Sequence, residues 1–284
     1  MDLIKAYKKD QALKDEILTT QKNKDGFRLW WLGQSGYLLQ WKGIHLLIDP
    51  YLSDSLTKKY ADSDKPHIRM SERVIAPEEL DFIHLATSSH NHTDHLDGET
   101  LIPIIAQNPG LRMIIPEANR SFVAQRIQQP EDYPIGMEAQ MSIEIDDIWI
   151  HGIPAAHEEI EKDAQDRHIY MGYVFEFGPW TIYHSGDTVW FPELPQYLEP
   201  FNINLAILPI NGRAPERKVA GNMNAREAVQ LAQAIKADIV LPCHYDMFTF
   251  NSADPKEFAS IAESENQKYL ILQLGEHLTE RVFL

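Results

Sequence analysis

Residues 90–95 read His-Asn-His-Thr-Asp-His, three imidazoles and a carboxylate within six positions of a chain that has 12 histidines in all. Such a segment is most useful where a buried strand ends, because α/β folds gather their ligands at the carboxyl ends of strands. It follows DFIHLAT (81–87), an apolar run that reads as a buried strand. With extended geometry carried past that run, His90 and His92 share one face and reach one ion. A sharp turn then aims Asp94 and His95 at a second ion close by. Imidazole and carboxylate together suit zinc, manganese or iron, and argue against a thiolate-bound structural zinc. Cys243 is the single cysteine, so no intrachain disulfide forms, which fits a reducing cytoplasm.

The rest of the chain supplies elements for an α/β fold. Apolar residues from Asp2 to Leu18 fall at helical spacing, so residues 1–25 are expected to form a helical N-terminal extension. Short aromatic and branched runs punctuated at Gly33, Gly36 and Gly43 read as a β-meander, with Trp30 and Trp31 in the core. Residues 51–72 are polar and unpatterned, the pattern of a long loop able to act as a lid. Helical patterns follow at 99–107 and 117–128 around a strand at Arg112–Ile115. Strand pairs follow at 140–154 and 169–184, the second pair turning at Gly178-Pro179, and then a strand at Leu205–Ile210. Asn224 and Glu227 form a capping box for a helix running to Lys236. DIVLPCH is a strand ending in His244, and KYLILQLG with HLTERVFL predicts a C-terminal hairpin. Neither a Gly/Ser linker nor a repeat divides the 284 residues, so a single domain of two similar halves is expected, with helices outside two facing sheets.

Beyond residues 90–95, four further elements stand in order: Asp49 in LLIDP, His157 in GIPAAHE, Asp187 in YHSGDT and His244 in LPCHYD. With H-x-H-x-D-H, this series resembles the metallo-β-lactamase fold hydrolases from about Phe27 onward. The resemblance implies a four-layer αββα sandwich. It also implies that His90, His92 and His157 bind one metal ion and that Asp94, His95 and His244 bind a second, with Asp187 bridging them. Two divalent cations, zinc or manganese, would share a hydroxide and bring its formation towards neutral pH. Asp94 and Asp187 are then the catalytic carboxylates, and Asp49 orients a ligand histidine through its ring N–H. His45, His67, His84, His151, His168 and His277 read as structural or surface residues. His184, three positions before Asp187, reads as a packing or orienting group, and Cys243 as a core residue facing away from His244.

Within that superfamily, WWLGQSGYLL, YHSGDT followed by Trp190-Phe191, and LPINGR through NMNAREAVQLAQAIKADIVLPCHYDMF are similar to the L-ascorbate-6-phosphate lactonase branch. The resemblance implies a lactonase acting on a sugar-acid lactone phosphate. Arg213, Arg217 and Lys218 are the candidate phosphate-binding cations. SHNHTDHLD also resembles N-acylphosphatidylethanolamine phospholipase D, so the alternative is a metal-dependent phosphodiesterase, phospholipase D-like or acting on a cyclic nucleotide; a non-catalytic metal-binding module is the third reading. The net charge of −16 disfavours nucleic acid as a partner. No apolar run approaches the ~20 residues that span a bilayer, and the N-terminus lacks the apolar block of a signal peptide. A cytoplasmic protein with a small, anionic substrate is expected, without a membrane partner; a homo-oligomer is compatible with the sequence.

Overall fold

The computed structural model describes residues 2–22 and 24–283. Helix α1 (Asp10–Thr20) precedes an antiparallel meander of β1 (Phe27–Gly33), β2 (Gly36–Trp41) and β3 (Ile44–Ile48). Period-two alternation decides what each side of this meander touches. Phe27 and Trp31 of β1, and Tyr37 and Trp41 of β2, point to one face. Trp30 and Gln40 point to the other, where Trp30 Nε1 donates to Glu16 Oε1 (2.9 Å) and Gln40 Nε2 to the carbonyl of Ile17 (2.9 Å). That outer face receives Leu13 and Ile17 of α1, both fully buried. The short helix α2 (Ser55–Lys59) lies in the long connection to β4 (Leu85–Thr87). After β4 the sheet continues in parallel through β5 (Arg112–Pro116) and β6 (Ile135–Met137), with α3 (Gly98–Gln107) and α4 (Arg120–Arg126) in the connections.

The second sheet starts with β7 (Ser142–Ile145), β8 (Ile148–Pro154), β9 (Met171–Phe177) and β10 (Trp180–His184), all antiparallel. It ends in parallel with β11 (Leu205–Pro209) and β12 (Ile239–Cys243). Helix α5 (Leu194–Leu198) packs on β8, and α6 (Ala225–Ala234) on β11 and β12, with α7 (Pro255–Ser264) beside α6. The expected capping box starts α6: Asn224 Oδ1 accepts from Glu227 N and Glu227 Oε2 from Asn224 N, each at 2.9 Å. The last strand, β13 (His277–Thr279), returns to pair with β1.

Aromatic rings join the two sheets face to face. Phe177 of β9 meets Phe27 and Trp41, with ring centroids 5.4 Å from each. Tyr37 donates across the interface to the carbonyl of Pro242 (3.3 Å). One buried apolar cluster therefore runs through both sheets and α1. Each large side chain in it contributes about 1.5–3 kcal/mol of burial. With helices flanking the paired sheets, this is the expected αββα sandwich. No helix among the described residues is long and apolar enough to cross a membrane.

Several boundaries differ from the sequence expectation, and pairing explains most of them. The N-terminal helix starts at Asp10 rather than Asp2, because Ile4 bridges to Ser71 and Ala6 N donates to Glu72 Oε2 (3.0 Å). No C-terminal hairpin forms among the described residues: Tyr269 bridges to Val240, and His277–Thr279 is taken by β1. The expected helix at 117–128 opens as a 3-10 turn, Glu117–Asn119, before α4. The strand expected at 81–87 is confined to Leu85–Thr87.

Candidate metal centre

The seven residues expected as ligands converge at one end of the sandwich. One ligating atom from each of His90, His92, His157 and Asp187 lies within 4.8 Å of the others, and the same holds for Asp94, His95 and His244. Asp187 faces both groups. Its Oδ1 is 2.7 Å from His244 Nε2 and 3.1 Å from His95 Nε2, while its Oδ2 is 3.6 Å from His157 Nε2.

Each candidate ligand is carried by a turn that closes a strand. Residues 88–96 are not extended, which corrects the expectation that a strand face would align His90 with His92. β4 stops at Thr87 and the chain coils, with His95 N and Leu96 N both donating to the carbonyl of His92 (3.1 and 2.8 Å). His157 follows β8 and His244 follows β12. Asp187 lies in the Ser185-Gly186-Asp187 turn after β10, where glycine is required. Gly186 has φ +59°, and a Cβ there would stand 2.7 Å from both the Met171 carbonyl oxygen and Ser89 Cβ.

Hydrogen bonds on the remote ring nitrogens fix the imidazoles. His95 Nδ1 donates to Asp49 Oδ2 (2.6 Å), and Asp49 is itself held by Ser89 N (2.9 Å) and by the Ser89 hydroxyl. His157 Nδ1 donates to the carbonyl of Gly221 (2.8 Å). His184 is a buried orienting group rather than a ligand. Its Nε2 donates to the carbonyl of Ser35 (3.0 Å) and its Nδ1 accepts from Gly186 N (3.2 Å), tying two site turns together. Cys243 is buried, as expected.

The electrostatics favour a cation. Burial raises the Asp187 carboxyl, but the imidazoles of His244 and His95 outweigh it and hold it well below the usual carboxylate range. Burial likewise opposes ionisation of Asp94, and His95, His244 and His92 lower it nonetheless. Burial, together with the neighbouring imidazoles of His95 and His92, keeps His90 well below its ordinary value, in the neutral form that donates a lone pair. His95 is pushed down by burial and drawn well up by Asp187 and Asp94. His90 Nε2, His95 Nε2, His244 Nε2 and Asp187 Oδ1 are all buried without a hydrogen-bond partner, although the last three approach one another closely. Leaving one such atom unsatisfied costs about 1–3 kcal/mol, so four aimed at a common space fit bound cations. A set of nitrogen and oxygen donors fits zinc, manganese or iron.

Three supporting residues carry no sequence signal of their own. The terminal amide of Gln34, in the turn between β1 and β2, has its Nε2 2.9 Å from both Asp94 Oδ2 and His244 Nδ1. Its NH2 donates to Asp94 Oδ2 and faces His244 Nδ1, so one amide holds both side chains in place. Arg126 Nη1 donates to the carbonyls of Asn91 (2.8 Å) and Leu96 (3.2 Å), holding the ligand loop from α4. Tyr170 packs its ring 5.3 and 5.5 Å from the rings of His90 and His157.

A cavity of about 490 Å³ opens over His92, Asp94, His157 and Asp187. Leu56, Lys59, Tyr60, Lys65 and His67 form one wall, so the 51–72 segment does border the site. Of the three cations expected at the substrate, Lys218 lines this cavity. Arg213 lies in an adjoining groove with Trp190 and is paired with Glu227 (2.8 Å). Arg217 is turned to Asn251 Oδ1 (2.7 Å) and the carbonyl of Asn211 (2.9 Å).

A family model described as the β-lactamase superfamily domain matches residues 28–244, the span that runs from β1 to β12 and carries every candidate ligand. The chain belongs to the metallo-β-lactamase superfamily. Among curated members, it is 28% identical over 255 residues to a UPF0173 metal-dependent hydrolase of Methanosarcina mazei, covering 88% of this chain and 97% of that one. A UPF0173 metal-dependent hydrolase of Pyrococcus furiosus is 27% identical over 234 residues, covering 82% and 91%. Solved structures share the fold at lower identity. The metallo hydrolase Igni18 of Ignicoccus hospitalis has a TM-score of 0.64 at 22% identity, covering 89% of this chain and 97% of that one. Isothiocyanate hydrolase from Delia radicum gut bacteria has a TM-score of 0.69 at 19% identity, covering 88% and 98%.

Proposed function

We propose that this superfamily member is a metal-dependent hydrolase that opens a small anionic lactone, of the L-ascorbate 6-phosphate type, over two divalent cations. The observation that carries the reading is Asp187, whose two carboxylate oxygens face two separate sets of imidazoles. The relatives in M. mazei and P. furiosus bear the name metal-dependent hydrolase, which agrees with it. His90, His92 and His157 would hold one zinc or manganese ion, and Asp94, His95 and His244 the other. Bound there, the cations bring water ionisation towards neutral pH and polarise the carbonyl.

The protein's own groups do the remainder. Asp49, Gln34 and the Gly221 carbonyl keep the imidazole rings aimed, so that little reorganisation is needed when substrate arrives. Asp94 borders the cavity with its side chain 17% exposed, and Gln34 occupies only its Oδ2. Its carboxylate can therefore take a proton from the attacking water as the water oxygen bonds to the lactone carbonyl carbon. The ring C–O bond then breaks, and the proton passes to the departing ring oxygen to leave a hydroxy acid. Tyr60, Phe122 and Leu56 add apolar surface to the lining of the cavity.

Hydrolysis of L-ascorbate 6-phosphate by the manganese-reconstituted protein, followed by proton release, tests the reading. Turnover that Asp187→Ala abolishes is the expected result. A fully metal-loaded protein inert towards the lactone would remove the substrate assignment, and phosphodiesters would be tried next.

A further inference from the structure

Three lysines from two separate segments meet at the mouth of the metal cavity. Lys59 ends α2, Lys65 lies in the connection that follows, and Lys218 belongs to the loop after β11. Acidic groups outnumber basic ones by 42 to 26 in this chain, so cations generally find carboxylates. Neighbouring ones do: Lys58 pairs with Glu99 (2.7 Å), Arg69 with Asp54 (2.7 Å) and Arg213 with Glu227 (2.8 Å). Among the described residues, Lys59, Lys65 and Lys218 take part in no ion pair within 4.0 Å, and all three line one cavity.

Their placement is built rather than free. The Lys59 ammonium lies over the Tyr60 ring, 5.2 Å from its centroid, and that ring packs on His67 with centroids 4.6 Å apart. His67 Nδ1 donates to the carbonyl of Lys65 (2.7 Å). Lys65 Nζ reaches across to the carbonyl of Lys218, latching the two walls together. Like charges on one rim repel, and a bound dianion relieves that repulsion while each ammonium gains a charge-assisted hydrogen bond. A cavity of about 490 Å³ falls in the ~300–1,000 Å³ range of small-molecule sites.

We propose that Lys59, Lys65 and Lys218 form the anion end of this cavity and take the phosphate monoester of a small organic phosphate, whose other end lies over the His/Asp cluster. The proposal rests on the hydrolase reading only for what happens at that other end. Lys59 and Lys65 then take the role that the sequence assigned to Arg213 and Arg217, whose guanidinium groups are engaged elsewhere.

The test is calorimetric binding of D-glucose 6-phosphate and of D-glucose to the metal-loaded full chain, at low and high salt. Wild type should prefer the phosphate at least ~10-fold, and the preference should shrink as salt rises. Each of Lys59→Gln, Lys65→Gln and Lys218→Gln should weaken the phosphate alone by about 3–10-fold, as expected for loss of one partly exposed charge contact. The triple variant should bind both probes equally with unchanged metal content and circular dichroism. Arg213→Gln should change neither probe. A triple variant that keeps the full preference overturns the proposal, since the phosphate then sits on the metals themselves. So does a wild type with no preference. Because no turnover is measured, a preserved phosphate preference in a protein that opens no lactone would leave the anion site standing while the hydrolase reading fell.

Discussion

Asp49→Asn changes one atom type in a fully buried contact and should separate the two metal-binding steps. The native carboxylate accepts His95 Nδ1–H at 2.6 Å through Oδ2, and Ser89 N at 2.9 Å through Oδ1. An asparagine that keeps its carbonyl on Ser89 N turns an NH2 group towards His95 Nδ1–H, so two donors face each other. The relief is for His95 to carry its proton on Nε2, which removes the lone pair that a cation beside Asp187 would take. Loss of such a supporting contact lowers metal affinity about 10–100-fold, or roughly 1.4–2.7 kcal/mol. The effect should fall on the ion held by Asp94, His95 and His244. Calorimetric titration of chelator-treated protein with zinc resolves it: the tighter or weaker step belonging to that set shifts and the other keeps its constant within about threefold. Volume is conserved, so the thermal midpoint of the metal-free protein should fall by no more than the ~4–8 °C expected for one charge-assisted hydrogen bond. Two unchanged binding constants, or two equally weakened ones in a folded protein, would refute the reasoning.

Three further predictions come from other parts of the same frame. Gln34→Ala removes the amide shared by Asp94 and His244 and should also weaken the second ion about 10–100-fold; a variant with wild-type zinc isotherms would show the amide to be idle. Gly186→Ala must place a Cβ 2.7 Å from the Met171 carbonyl oxygen at φ +59°, costing about 2–4 kcal/mol. A loss of on the order of 10 °C in Tm is expected, and a loss below about 2 °C would contradict the close approach. His45 donates from Nδ1 to the carbonyl of Phe82 (3.1 Å) and accepts from Gln40 on Nε2 (2.8 Å), and burial, with His84 nearby, pushes its pKa down to about 4. Between pH 6.5 and about 4 the unfolded chain binds the proton and the folded one does not, so stability present above pH 6.5 falls on acidification, by about 3 kcal/mol from this residue. Metal-free His45→Gln should lose correspondingly less Tm than wild type between pH 7 and 4.5; parallel losses would assign the acid sensitivity elsewhere.

The site was more legible in the sequence than the fold boundaries, for a physical reason. Ligand atoms demand particular residue types at strand ends, so His90, His92, Asp94, His95, His157, Asp187 and His244 stand out in order, and the structure gathers all of them. Boundaries depend on partners far along the chain. Residues 2–9 carry a helical pattern, yet Ile4 pairs with Ser71. HLTERVFL resembles half of a hairpin, yet its strand joins β1. The reason His90 meets His92 also lay outside the sequence pattern, because a coil after Thr87 rather than a strand face brings them together. Gln34 was hidden because its two partners are 60 and 210 positions away. Side-chain engagement is hidden for the same reason: nothing local shows that Arg213 pairs with Glu227 or that Lys59 faces the cavity.

Metal stoichiometry tests the central claim, that two ligand sets share Asp187, most directly. The full chain would be saturated with zinc or manganese, freed of excess by dialysis, and its metal measured by mass spectrometry alongside Asp187→Ala. The account predicts about two ions per wild-type chain and at most one in the variant, with both proteins folded. One ion or none in wild type, or two retained by Asp187→Ala, would contradict it.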